Sequence, residues 1–373
     1  VLGGIAAVAL LAGLPAGAAT LKATAANYKQ VFSVAKGGDT VVLSGSFGAI
    51  SLRDRNYATT LTIDARGATF TDTFSMKYVS GVTLLGGNYG HYTSSLVAIR
   101  VTGGDRITIS KATIIGNGTS RHGIDVNATT NVTIDSSTFS GLGLGAGFIG
   151  VTGGKMTNNK SIGSSSDGFN VADSHKVLVS RNSCTGGSPK AGAHPDCVQM
   201  WSTKGNAPLS DIEVSDNIAT GATQGFTLFD HGTGGGDRIK LLRNRVNTSY
   251  PQGIACYDCR NSIISGNILT TLPGSKWRTV INVVGGRNNT ITGNSIGIRP
   301  LTAVAGAIVP VLNTSGAGFT TPPDVLLNPS TTLPTLAAGA IPEPGTWAMM
   351  LGGFGVVGLA ARRRQRLSRR LIA

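Results

Sequence analysis

The sequence predicts an all-β chain wound into a right-handed parallel β-helix of about nine coils, with a short helix covering its N-terminal end. Three observations carry this expectation. A short phrase, two β-favouring residues around one other, then two small or polar residues and Asn, recurs along the chain. A second alternating phrase recurs in step with it. The composition fits many short strands and turns: 53 glycines in 373 residues, with 13% charged and 6% aromatic residues against 40% hydrophobic ones.

The first phrase reads "VLVSRN" to Asn182, "IEVSDN" to Asn217, "IKLLRN" to Asn244, "SIISGN" to Asn267 and "TITGN" to Asn294. Weaker copies end at Gly87, Ala112, Ser137 and Asn159, so the steps are 25, 25, 22, 23, 35, 27, 23 and 27 residues. The second phrase reads "GIDV" at Gly123, "GFNV" at Gly168, "CVQM" at Cys197, "GFTL" at Gly225, "GIAC" at Gly253 and "VINV" at Val280. Each repeat therefore holds at least two short strands and cannot bury its apolar face alone; stacked, the repeats close one core. At ~4.8 Å per coil the rod is ~40 Å long. The recurring Asn is expected to form a ladder of amides from coil to coil. A leucine-rich repeat or a propeller is the competing architecture, but neither consensus is present.

The remaining segments follow from this frame. Residues 1–19, "VLGGIAAVALLAGLPAGAA", form an apolar run with Ala16-Gly17-Ala18 as a cleavage signal, read as the remnant of an export signal. Residues 20–300 are the β-helix domain. Within it Tyr28, Val31, Phe32 and Ala35 have helical spacing and precede the first strand, "TVVL", so this helix can cover the open end of the rod. Residues 301–340 read as a final partial coil and a Pro/Thr/Ala-rich linker. Residues 341–373 hold "IPEPGTWAMMLGGFGVVGLAARRRQRLSRR": a Pro-Glu-Pro element, an apolar stretch from Trp347 to Ala361 and an arginine cluster. The stretch is short for a full membrane span, and the arginines should stay cytoplasmic.

The net charge of +14 includes six arginines among the last dozen residues. The body is only mildly basic, and no motif calls for a nucleic-acid partner. The chain is expected to be exported and monomeric.

Stacking turns sequence period into adjacency. Two residues before Phe169 and Val198 stand Asp167 and Asp196, which should be neighbours on adjacent coils. The outward residues of the same strands are read as Arg100, Asp125, Gly150, Asn170, Gln199 and Thr227. Arg121 and His122 fall a coil or two away. The long step places "TGGSPKAGAHP" at the rim, so Lys190 and His194 overhang the face, and Trp201 borders it. The candidate catalytic residues are Asp167, His194, Asp196, Arg121 and His122; Arg100, Asp125, Asn170, Gln199, Trp201 and Lys190 are candidate substrate ligands. Two carboxylates one coil apart repel, and either a shared proton or a bound cation relieves this. With a proton they can act as acid and base on a glycosidic bond. With Ca²⁺ held by Asp167 and Asp196, the one candidate ion, β-elimination on a uronate becomes available. Turn formation alone is the simpler account of Asp167, and also of Asp173, Asp230 and Asp258. Cys184 and Cys197 bracket the long loop and should be bonded in an exported protein; Cys256 and Cys259 are read as a local disulfide or free thiols.

The C-terminal tripartite pattern resembles the PEP-CTERM sorting signal of Gram-negative bacteria, which implies export and an exosortase-type partner. Residues 25–300 resemble the pectate-lyase-like β-helix superfamily, whose members include lyases, hydrolases, epimerases and non-catalytic surface proteins. "SSDGFNV" and "HPDCVQM" are similar to the acid-bearing segments of polygalacturonase-type glycoside hydrolases, with Asp167 and Asp196 as the matching acids; Pro195 and Ser165-Ser166 depart from that pattern. The reading that results is an exported protein acting on an acidic polysaccharide, by lyase-type elimination ahead of hydrolysis. A non-catalytic polysaccharide-binding or matrix protein is the competing class.

Overall fold

A computed structural model describes residues 17–90, 97–118, 122–189, 195–230, 234–297 and the strand 312–314. Residues 1–16 of the expected export signal, Arg121, Lys190, His194, and the C-terminal apolar stretch and arginine cluster lie outside the described residues. All described residues belong to one unit within Val1–Val325.

Every named strand pairing in the unit is parallel, and each strand pairs with the equivalent strand one turn later. A full turn carries three short strands. Phe169–Ala172, His175–Ser180 and Ser183–Thr185 are followed by Asp196–Trp201, which lies on Phe169–Ala172. The chain thus builds three stacks, called first, second and third here in that order. The first stack has a continuous inward ladder of ten residues: Ile50, Phe74, Ile99, Ile124 and Ala146, then Phe169, Val198, Phe226, Ile254 and Ile281. None is more than 1% exposed. Each large side chain buried this way contributes roughly 1.5–3 kcal/mol of transfer free energy. The winding makes about ten turns, close to the number read from the repeats.

The amide ladder forms in the turn before the third stack. Asn159, Asn182, Asn217, Asn244, Asn267 and Asn294 stand on successive coils. Each Oδ1 beyond Asn159 accepts from the backbone N–H and from Nδ2 of the preceding Asn, at 2.8–3.1 Å. Each Nδ2 also donates to a carbonyl of the previous coil at 2.8–2.9 Å. The residue before each ladder position turns the chain. Lys111, Ser136, Asn158, Arg181, Asp216 and Arg243 have φ between 51° and 58°, and Gly266 and Gly293 take over on the later coils. A left-handed residue with a side chain costs roughly 1–2 kcal/mol. The buried amide bonds hold it there.

The helix is Tyr28–Val34. Phe32 is buried, and Tyr28 packs edge-on to Phe47 with ring centroids 6.1 Å apart. It lies against the first rung, Thr20–Ala23 paired with Thr40–Phe47, as its apolar spacing anticipates.

Replacing Asn217 by Ala removes the acceptor for two donors of Asn182 and leaves the Val179 carbonyl and Asn244 Oδ1 short of a partner. The expected loss is about 3 kcal/mol in urea unfolding, against less than about 0.5 kcal/mol for the exposed Lys240→Ala.

Candidate functional site

The outer side of the first stack is set by register. Arg100, Asp125, Gly147, Asn170, Gln199 and Thr227 are paired in that order, one per coil. Sequence alignment places Gly150 in this column; the structure places Gly147 there, and Gly150 falls in the following turn. A Cβ at Gly147 would meet Leu144 Cδ2 at 3.2 Å, so the notch between Asp125 and Asn170 is floored by Leu144.

Asp167 and Asp196 reach the same outer side because the strands bend at their starts. A Cβ on Gly168 would point into the core, 2.5 Å from Cys184 Sγ. Cys197, fully buried, is bonded to Cys184 with Cα atoms 5.5 Å apart. With two consecutive residues facing inward, the acid before each bend is turned out. The second bonded pair, Cys256 and Cys259, has a Cα separation of 5.7 Å.

The acids meet as neighbours. The Asp196 backbone N–H donates to Asp167 Oδ1 at 2.9 Å. Asn170, with its amide turned to satisfy both ends, donates from Nδ2 to Asp167 Oδ2 at 3.2 Å and to the Phe169 carbonyl at 3.0 Å. Thr227 Oγ1 donates to Asp196 Oδ1 at 2.8 Å, while Asp196 Oδ2 has no partner among the described residues. The pair is not open to solvent: Asp167 is 3% and Asp196 1% exposed. Burial pushes the Asp196 carboxyl well above the usual carboxylate range, and the charge of Asp167 adds to it; the Thr227 bond opposes both and is outweighed. Asp196 therefore keeps its proton well into the range where an ordinary aspartate has lost it.

A coil or two away lies the part of the site that solvent reaches. His122 Nδ1 is 3.0 Å from Asp125 Oδ1, with the His122 side chain 28% and the Asp125 side chain 13% exposed. Arg100, exposed, stands opposite Asp125 on the adjacent coil. Burial pulls the His122 pKa down, but the Asp125 hydrogen bond and the charges of Asp125 and Asp167 outweigh that and the opposing charge of Arg100. The net shift is upward. Since Asp167 is felt at His122, the buried acids and the half-buried dyad form one electrostatic unit.

The right-handed β-helix family model matches residues 97–296, more than half of the chain. The chain belongs to the right-handed β-helix family. The PEP-CTERM protein-sorting motif matches residues 340–364, which marks an exported, surface-sorted protein of the kind typical of Gram-negative bacteria and implies processing by an exosortase. No curated protein matches the sequence. Among solved structures, the β-helix is similar to the alginate lyase of a Paenibacillus species, at 14% identity and a TM-score of 0.51, covering 74% of this chain and 99% of that one. It is similar also to the endo-xylogalacturonan hydrolase of Aspergillus tubingensis, at 13% identity and a TM-score of 0.51, covering 80% and 100%. At these identities the likeness is one of fold.

Within this β-helix, Arg100, His122, Asp125, Asp167, Asn170, Asp196 and Gln199 share one face. Trp201 sits at its edge, half-buried, with an indole N–H that has no partner among the described residues. Arg121, Lys190 and His194 lie outside the described residues. The expected Ca²⁺ does not fit the acid pair. Asp167 receives two N–H donors and Asp196 Oδ1 a hydroxyl, leaving one carboxylate oxygen open where Ca²⁺ takes six to eight oxygens. No group of three or more His, Cys, Asp or Glu among the described residues could hold a metal. Thr227 had a place in the sequence column but no role; the structure makes it the partner of Asp196. Asp173 acts as a turn acid, taking Thr203 N–H at 2.6 Å, Thr203 Oγ1 at 2.7 Å and Asn206 Nδ2 at 2.9 Å. No described helix is long and apolar enough to cross a membrane, and the Trp347–Ala361 stretch lies outside the described residues.

The raised Asp196 pKa has a stability consequence with a definite sign. Between the unfolded value and the raised folded value the native state binds more protons than the unfolded state, so stability falls as pH rises through that window. Asp196→Asn removes this loss. Urea midpoints measured from pH 4 to 7 should show the variant gaining on the parent as pH increases.

Proposed function

We propose that this protein is a polysaccharide lyase that cleaves a uronate-containing polymer by β-elimination at the Arg100, His122 and Asp125 face. The observation that carries the reading is the His122–Asp125 contact with an exposed arginine on the adjoining coil. Asp125 holds the Nδ1 proton of neutral His122 and so leaves Nε2 as the base for the C5 proton of a uronate. Arg100 pairs with the carboxylate of that sugar, making the proton at C5 more acidic and stabilising the developing charge. Electrons from the broken C5–H bond form the C4–C5 double bond, and the glycosidic oxygen leaves from C4 with the electrons of the C4–O bond and takes a proton from water. Leu144 under Gly147 offers an apolar floor beside the dyad.

Hydrolysis is the second reading. The raised pKa of Asp196 beside Asp167 supports an acid and a base of the kind that cleave glycosidic bonds with water. Their burial sets this reading behind the first. Incubation of the purified protein with a panel of uronate polymers separates the outcomes. Ultraviolet absorbance of unsaturated uronate indicates elimination, new reducing ends without it indicate hydrolysis, and silence across the panel indicates a non-catalytic surface protein.

Elimination requires the unprotonated His122, so kcat/KM should rise with pH through an inflection above the ordinary histidine value. In Asp125→Asn the upward contributions weaken and burial dominates, so the inflection moves to lower pH while the maximal rate falls. His122→Ala should lose roughly 10²–10⁴-fold in kcat, and Arg100→Ala should raise KM about tenfold. A flat pH profile in the parent would remove His122 from the reaction.

A further inference from the structure

The outer face continues past Arg100 toward the N-terminal end. The strand Ile50–Phe70 opens with Ile50, Ser51, Leu52 and Arg53, and Phe74–Leu85 opens with Phe74, Ser75, Met76 and Lys77. Two outward columns follow from the register. Ser51, Ser75, Arg100 and Asp125 form one; Arg53, Lys77, Thr102 and Asn127 form the other. Leu52, Met76 and Val101, between the columns, are buried. Arg53, Lys77 and Arg100 therefore stand on three consecutive coils leading to the coil of His122 and Asp125. Arg53 and Lys77 are directly opposed at ~4.8 Å of backbone spacing, and Lys77 and Arg100 are diagonal neighbours.

Among the described residues, none of these three cations is in an ion pair. The nearest outward acid in the columns, Asp125, is engaged by His122. Arg53 makes one side-chain bond, from Nε to Ser51 Oγ at 3.2 Å. Beside Lys77 stands Tyr78, 57% exposed, with Lys77 Nζ 5.2 Å from the ring centroid. The Tyr78 ring covers Gly103, where a Cβ would lie 2.5 Å from Tyr78 Cδ1. On the far side of the dyad the column is neutral: Gly147, Asn170, Gln199 and Thr227.

Like charges one strand spacing apart repel, and a ligand with a single anionic group neutralises only one of them. A polyanion with an acidic group on each sugar, running along the solenoid axis, neutralises the row, because an extended sugar unit is comparable in length to one strand spacing. We propose that Arg53, Lys77 and Arg100 form a three-coil track for consecutive acidic sugars, with Tyr78 as a stacking surface at its side. The polymer is then held with its acidic block toward the N-terminal coils, and the column beyond Asp125 adds no cation to the row. The assignment of a cut at the C-terminal end of the track rests on the lyase reading; binding along the track does not.

The test uses the full chain carrying His122→Ala, so that the oligomer stays intact, with calorimetric titration at low salt. Dimers and hexamers of polymannuronate and polygalacturonate are the probes. Exposed charge pairs are individually weak, so Arg53→Gln with Lys77→Gln should raise the hexamer Kd by roughly five- to tenfold and the dimer Kd by less, since a dimer can shift toward Arg100. The effect should fade as salt is added. The pair Arg53→Lys with Lys77→Arg should bind like the parent, as should Lys240→Gln, a charge loss on the second stack. The track is overturned if the neutralised pair binds the hexamer as the parent does, if dimer and hexamer weaken equally, or if neither hexamer binds the parent. Failure of the lyase reading looks different: hexamer binding still depends on Arg53 and Lys77, but the wild-type protein yields no unsaturated product.

Discussion

The structure depends on each coil returning to the same place one strand spacing further along, and from the coil of Asn159 onward the buried asparagine amides enforce that return. An amide in an apolar interior is costly unless its hydrogen-bonding groups are met. Here they are met only when the next coil is in register, because Oδ1 takes two donors from one neighbour and Nδ2 divides its protons between both. A slip by one residue would strand several buried groups at once. Apolar stacking drives the coils together without choosing a register so sharply. The ladder chooses it, and with it which outward side chains become neighbours. On the coils of Arg100, His122 and Asp125 the ladder position is held by Ala112 and Ser137: Ser137 Oγ accepts from the Ala112 N–H at 3.2 Å, and the Ser137 N–H donates to Asn159 Oδ1 at 2.9 Å.

The same device explains why the chain tolerates a long excursion. Asn182 and Asn217 are separated by 35 residues, yet their bonds, 2.8 and 3.0 Å, match those between partners 23 or 27 residues apart. The extra residues fall in two places, between Thr185 and Asp196 and between Trp201 and Leu209, and the Asn turn is undisturbed. The Cys184–Cys197 bond closes the base of the first of these, tying the third-stack strand Ser183–Thr185 to the start of Asp196–Trp201. Variation is thus directed to the rim of the outer face, where a polymer would lie, while the core repeats unchanged.

The fold was legible because one residue type marks the period and alternating apolar residues mark the inward side. Asp167 beside Asp196, with Asn170 and Gln199 next to them, followed from that alone. Three features were not legible. Gly147 and Gly150 flank the same apolar pair, so alternation cannot say which of them is outward; the backbone pairing can. The bend at Gly168 and Cys197 breaks the two-residue period that any straight-strand reading assumes. Burial of the acids depends on the neighbours that cover them, which periodicity does not reveal. The basic coils before Arg100 escaped notice for a related reason: "SLRDRN" and "SMKYVS" sit where no Asn-terminated phrase marks the repeat, so they could not be aligned with the later coils.

Electrostatics joins the buried and exposed halves of the site. His122 is drawn toward its charged form by Asp125 and Asp167 and away from it by burial and Arg100. Were Asp196 also ionised, a further negative charge would sit beside Asp167 in a poorly screened interior. His122 would then hold its proton more tightly, and fewer molecules would carry the base at neutral pH. The backbone N–H on Asp167 Oδ1 and the burial of Asp196 work against that outcome: one acid is solvated by the chain, the other is pushed toward its protonated form. The buried pair thereby limits how far its own charge can raise the histidine.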